Sequence, residues 1–333
     1  MKWVERGRSS VYNYFKSNLR RRAEVKENYE KIYRLETTPE ALAASAEYLA
    51  ERLSKIVEKE ELVLICFPNS GADSLGAVFA DALTRIGARP QFWGPDFTWK
   101  ELLRTAFDGH IQTIIGHPIV VLGLMKIARA TATPLYLRNV ILAGYAYSRW
   151  MAEGLKRGLD CQVWGCYAAY SGSVIVGFTC NQEAGLHIRD DVFDVVVQDD
   201  QGNTVLPPGR GKLFFSYKKA EGLVFDPEET AVIHRQSCSC GNDAPRIVDP
   251  IYIGPENPSN YILEKELLPW SSVLDYRVKQ TESGVDLEVV VFPGESLPQL
   301  PSCAKLLIRR WNPEKDIPFY IADNFMKIPE ISR

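Results

Sequence analysis

The sequence predicts an α/β fold in which a parallel sheet with crossover helices gives way to an antiparallel β section and a small α+β unit near the C-terminal end. Three observations predict it. Short apolar runs alternate with helix-length segments five times between residues 62 and 165. The runs are apolar on both faces, as strands covered by helices on each side require. After Asp191 the pattern changes to strand-like alternation broken by turn residues.

Residues 1–37 carry the stretch LRRRAEVKENYEKIYR, a charged helical arm that reads as a solvated face or a packing arm. Thr38 is a natural N-cap and Pro39 suits the first helical position. Leu42, Ala46, Leu49, Leu53 and Ile56 then follow at four- and three-residue spacing, which predicts an amphipathic helix. The expected strands are LVLICF (62–67), PQFWG (90–94), QTIIG (112–116), NVILAG (139–144) and CQVWG (161–165), with helices near 73–86 and 146–158. In FDVVVQDDQGNTVLPPGRGKLFFSY the turns fall at Gln201–Asn203 and Pro207–Gly209. The stretch IGPENPSN (253–260) is the best linker, so the expected domains are 1–256 and 257–333. In the tail, strands are expected near 273–280 and 285–292, a helix near 299–310 and a strand near 317–321.

A chain of 333 residues with 46% apolar content can bury a large core, and a net charge of −3 with mixed signs gives no field for nucleic acid or an anionic membrane. The most apolar stretch, TIIGHPIVVLGLMKIARA, is broken by His117, Pro118 and Lys126 before it reaches spanning length, and the start lacks a signal core, so a cytoplasmic protein is expected. The cysteines number seven, which argues for reduced thiols, some of them metal-bound.

Two constellations carry chemistry. Ligands of parallel α/β sheets bind beyond the carboxyl ends of the strands. The loops there contain Phe67, Asn69, Ser70 and Gly71, then His117, then Gly144, Tyr145 and Ala146, then Tyr167, Tyr170 and Ser171. Together they predict an aromatic rim for a small ligand, with His117, Ser171 and Cys66 as catalytic candidates. The second constellation joins TCNQEAGLHIRDD (179–191) to SCSCGNDAPRI (237–247). Cys180, His187, Cys238 and Cys240 supply the S, N, S, S donor set of a closed structural zinc site that would clip the β section 179–247 at its base. His234 and Cys166 are reserve ligands.

The run GLHIRDDVFDVVVQDDQGNTVLPPGRGKLFF followed by CSCGNDAPRI resembles the phenylacetate–CoA ligase branch of the adenylate-forming (AMP-binding) enzymes. IIGHP, AGYAYSRW and YAAYSGS resemble, in order and spacing, that family's upstream motifs. The resemblance spans about Thr38 to the C-terminal end and implies a truncated adenylate-forming fold. It implies activation of a small-molecule carboxylate as an acyl-adenylate with ATP and Mg2+, followed by transfer to a thiol such as CoA. The sequence departs from that pattern where phosphate chemistry is done. RRRAEVKENYEKIYRLE stands in place of a glycine-rich triphosphate loop, and Ser171 in place of the magnesium glutamate. Glu229 stands in place of the ribose aspartate without its arginine, and Ser332 in place of the adenylation lysine. Losing these together removes most of the electrostatic stabilisation of phosphoryl transfer, so weak or no ATP use is expected. Three functions fit: divergent carboxylate activation, an ATP-independent acyltransferase taking an acyl thioester with His117 as base or Cys66 as nucleophile, and a non-catalytic accessory or binding subunit. A homodimer is compatible with each.

Overall fold

The structure, a computed structural model, describes residues 27–28, 30–94, 97–144, 147, 149–169, 174–180, 182, 185–206, 209–227, 229–252, 267, 269–281, 284–294 and 305–324. Helix α1 (Pro39–Leu53) starts where Thr38 accepts a hydrogen bond from Ala41 N at 3.3 Å. The alternation then runs β1 (Leu62–Ile65), α2 (Leu75–Arg85), β2 (Arg89–Phe92), α3 (Trp99–Asp108), β3 (Thr113–Gly116), α4 (Pro118–Ala130), β4 (Asn139–Ala143), α5 (Arg149–Leu159) and β5 (Gln162–Ala169). These five strands pair in parallel in the order β2-β1-β3-β4-β5.

Side-chain alternation explains why the strand sequences are apolar throughout. Val63, Ile65, Ile115, Ile141 and Ala143 face a layer with Leu49 of α1 and Phe79 of α2. Leu64, Ile114, Val140 and Leu142 face the opposite layer with Trp99 of α3, Val121 of α4 and Leu155 of α5.

The sheet does not stop at β5. It continues antiparallel through β6 (Val174–Thr179), β7 (Leu186–Ile188), β12 (Arg246–Tyr252), β11 (Glu229–His234), β9 (Arg210–Tyr217) and β10 (Val224–Phe225), with β8 (Phe193–Gln198) pairing β9. The β section is thus an extension of one large mixed sheet. The arm is anchored to it: Ile32 is fully buried in the core of the β section. Glu36, also fully buried, accepts from Tyr217 Oη at 2.7 Å and Lys219 Nζ at 2.9 Å and lies 3.7 Å from Arg189.

A second sheet, β13 (Val273–Thr281), β14 (Gly284–Val291) and β15 (Lys305–Arg310), shares the hydrophobic core of α3, α4 and α5. Helix α4 lies between two sheets, which explains its burial almost all round. Lys126 in that helix donates to Trp270 O at 3.0 Å and Val273 O at 2.6 Å, and burial pushes its amine down to about 7 against the pull of Asp275.

The tail corrects two expectations. Residues 305–310 form a strand where a helix was expected over 299–310, because KLLIRR pairs in parallel with β14 and that pairing overrides a local helical pattern. Residues 299–304 lie outside the described residues. The strand expected near 317–321 is instead the start of helix α6 (Phe319–Asn324), whose first turn is fixed by Phe319 N donating to Asp275 Oδ2 at 2.8 Å.

Candidate functional site

The carboxyl ends of β1, β3, β4 and β5 lie side by side, which brings four of the expected loops to one edge of the sheet. Gly144 follows β4, half-buried, and Tyr167 lies in β5, buried. Asn69 and Ser70 are exposed and Gly71 half-buried in the loop before α2, where Tyr33 of the arm donates to Asp73 at 2.6 Å. Tyr145, Ala146, Tyr170 and Ser171 lie outside the described residues.

Two of the expected catalytic candidates are buried. His117 is the N-cap of α4, with Nδ1 accepting from Ile119 N at 3.3 Å, and burial pushes its imidazole down to about 3. A base that weak stays neutral and takes no proton efficiently near pH 7. Cys66 is fully buried in the core and burial raises its thiol, so little thiolate forms for attack. Phe67 is 1% exposed and packs in the α1–α2 layer, a wall of the core more than of the rim. Sequence spacing located these residues at strand ends. It could not report how deeply the adjoining helices cover them.

Glu229 carries a strongly perturbed carboxyl. It is buried, accepts from Tyr167 Oη at 2.9 Å, and desolvation with a contribution from Asp226 pushes its carboxyl up to about 8, although the Tyr167 bond opposes this. The folded chain therefore holds this proton while the unfolded chain, with an ordinary value near 4.5, has lost it. The associated stability is complete below about pH 4.5 and is lost as pH rises through about 8, at up to about 1.4 kcal/mol per pH unit. Glu229→Gln, an isostere of the neutral acid, is expected to flatten the decline in melting temperature between pH 5 and 8. Parallel curves for the two proteins would show that the carboxyl is ionised throughout.

The cysteine–histidine quartet comes together. Cys180 follows β6, His187 sits in β7, and Cys238 and Cys240 lie in the turn between β11 and β12, which are neighbours in the sheet order β11-β12-β7-β6. Their ligand atoms all lie within 4.8 Å of one another. Cys180 and Cys238 Sγ are 3.7 Å apart, and Cys240 Sγ is 3.4 Å from His187 Nε2. A tetrahedron with metal–sulfur bonds near 2.3 Å has sulfur–sulfur edges of about 3.8 Å and sulfur–nitrogen edges of about 3.5 Å, so the donors fit zinc. Ala244 O lies 3.2 Å from His187 Nδ1, which fixes the ring and leaves Nε2 for the site. Burial holds the imidazole below its ordinary value, and the backbone N–H of Cys240, more than the neighbouring thiols and Arg246, holds the Cys238 thiol below its own. A neutral imidazole and, at Cys238, a thiol that ionises more readily suit the protonation states a zinc ion needs. Gly241, with φ +84°, makes the turn that aims both cysteines one way. Of the reserve ligands, Cys166 is buried in the α1–α2 layer, and neither it nor His234 belongs to the quartet.

This parallel sheet, crossed by helices on both faces and extended by an antiparallel β section, matches the fold of solved adenylate-forming CoA ligases. The chain is similar to 2-hydroxyisobutyryl-CoA ligase in the postadenylation state in complex with R3-HIB-AMP, with a TM-score of 0.60 and 14% identity over 83% of this chain and 67% of that one. It is similar to a benzoate CoA ligase from Burkholderia xenovorans LB400, with a TM-score of 0.54 and 12% identity over 80% of this chain and 61% of that one. It is also similar to an anthranilate CoA ligase in complex with anthranoyl-AMP, with a TM-score of 0.54 and 11% identity over 84% of this chain and 63% of that one. The chain therefore spans about two thirds or less of the length of these ligases. No protein-family model matches the sequence, and no curated protein matches it. Among the described residues, no helix is long and apolar enough to cross a membrane.

Proposed function

We propose that the chain is an acyl-activating-enzyme-like protein of the phenylacetate–CoA ligase type. It binds a small aryl or acyl carboxylate, or its thioester, at the strand-end rim, with adenylate formation weak or absent. The fold supports the general class, and the runs around Gly185–Phe215 and Cys238–Ile247 support the branch. The observation that carries the weak use of ATP is Glu229. The residue at the expected ribose position is buried, engaged by Tyr167 and held protonated near neutral pH, so it offers a nucleotide neither a charge nor an open carboxylate. The acyltransferase route through His117 or Cys66 is disfavoured by their burial. Binding of acyl ligands is favoured over turnover, and an accessory role beside another enzyme is compatible with that reading. Cys180, His187, Cys238 and Cys240 would hold a structural zinc that pins the β section and takes no part in chemistry. We place the domain boundary near residue 256, with CoA thioesters as the largest ligands and a cytoplasmic setting.

Ligand binding is read by thermal stabilisation, since a ligand at one hundred times its Kd adds about 2.7 kcal/mol. Aryl carboxylates such as benzoate, or their CoA thioesters, are expected to raise the melting temperature by several degrees without ATP. No shift with any of them would remove the acyl-binding reading.

A further inference from the structure

A cavity of about 560 Å³ opens along α4 and α5 beside the residues that lead into β13 and follow β14, and runs from Trp150 in the first turn of α5 to Arg157 in its last. Helix α4 begins at the rim with His117 as its cap, and Arg129, in its last turn, lies roughly 18 Å further along the axis at 1.5 Å per residue. Arg157 enters from the last turn of α5 and Lys126 from the middle of α4. Among the described lining residues there is no carboxylate, while Met125, Trp150 and Phe292 give apolar walls. Cations in the last turn of a helix offset its dipole, which accounts for the presence of Arg129 and Arg157. It does not account for an open volume of ligand size with aromatic walls beside them.

The donor inventory is incomplete in the same place. Arg129 uses one nitrogen on Gly158 O at 3.3 Å, and Lys126 uses two of its three donors on Trp270 O and Val273 O. Trp150 Nε1 is buried with no acceptor among the described residues. We infer that this cavity is a second binding site for an amphipathic organic anion, its carboxylate or phosphate head held by Arg129 and Arg157 and its apolar body lying against Trp150, Met125 and Phe292. The site is separate from the rim and does not depend on the acyl-binding reading of it.

Gly154 provides the test, because a Cβ built there meets only Trp150 Cε3, at 3.9 Å, so a larger side chain enters the cavity without a backbone clash. The full-length protein is titrated with octanoate and, separately, with octyl phosphate, following tryptophan fluorescence. Saturable quenching is expected with at least one probe, and whichever binds identifies the head group. Gly154→Leu is expected to abolish it, Trp150→Phe to remove most of the signal, and the exposed Arg157→Gln to weaken binding at least tenfold, all with unchanged far-ultraviolet circular dichroism. Stabilisation by benzoate at the rim is expected to survive Gly154→Leu, which separates the two sites. Absence of saturable binding by both probes, or binding that Gly154→Leu and Arg157→Gln leave intact, overturns the inference.

Discussion

The native chain is expected to carry about one zinc ion, and Cys238→Ser to release it. The expected effect is large because such an ion would pin two hairpin ends at once. Cys180 and His187 come from the β6–β7 side and Cys238 and Cys240 from the β11–β12 side, and the two sides otherwise meet through the short β7–β12 pairing of Arg246 with His187 and Ile247 with Leu186. A hydroxyl in place of one thiolate leaves three ligands and a poorer donor. Structural zinc sites contribute on the order of 10 kcal/mol of apparent binding energy to the folded state. Even partial loss should lower the melting temperature of the β section by about 10 °C. Chelation of the native protein should reproduce the shift, and Ser239→Ala, one residue away and exposed, should leave both metal content and stability unchanged. Native protein purified without chelator and found free of zinc would remove the site.

The parts of this architecture that could be read from sequence are those written in local pattern. Thr38 and Pro39 start α1, and the apolar runs from Leu62 to Gly165 become the parallel strands, because both signals act over a few residues. The convergence of the cysteine–histidine quartet was also legible, since few residue types ligate metals and the two halves announce themselves by Gly-Leu-His and Cys-x-Cys-Gly. Contacts between distant segments were not legible. Glu36 is 181 residues from Tyr217, and nothing local in a charged arm says that one of its carboxylates will be fully buried beside Arg189. The reversal of strand and helix in the tail has the same origin, because β15 owes its conformation to β14 and α6 its start to Asp275. His117 shows the limit at the rim: its position was evident, but its low basicity comes from the helix it caps and the core around it.

The absence of a glycine-rich stretch near residues 18–36 and the engagement of Glu229 by Tyr167 both bear on nucleotide use. A triphosphate is normally surrounded by backbone amides that only a glycine-rich loop can turn toward it, and the transition state needs that charge stabilisation in place before reaction. Contributions of this kind are cooperative, so restoring a single group, as in Ser171→Glu, should recover little. The central claim, a carboxylate-binding protein on an adenylate-forming fold with weak or absent adenylation, is tested most directly by carboxylate-dependent exchange of labelled pyrophosphate into ATP with the native full-length chain. The account predicts exchange near background with every aryl or acyl carboxylate that stabilises the protein. Robust exchange with any of them would contradict it and identify the chain as a working carboxylate-activating ligase.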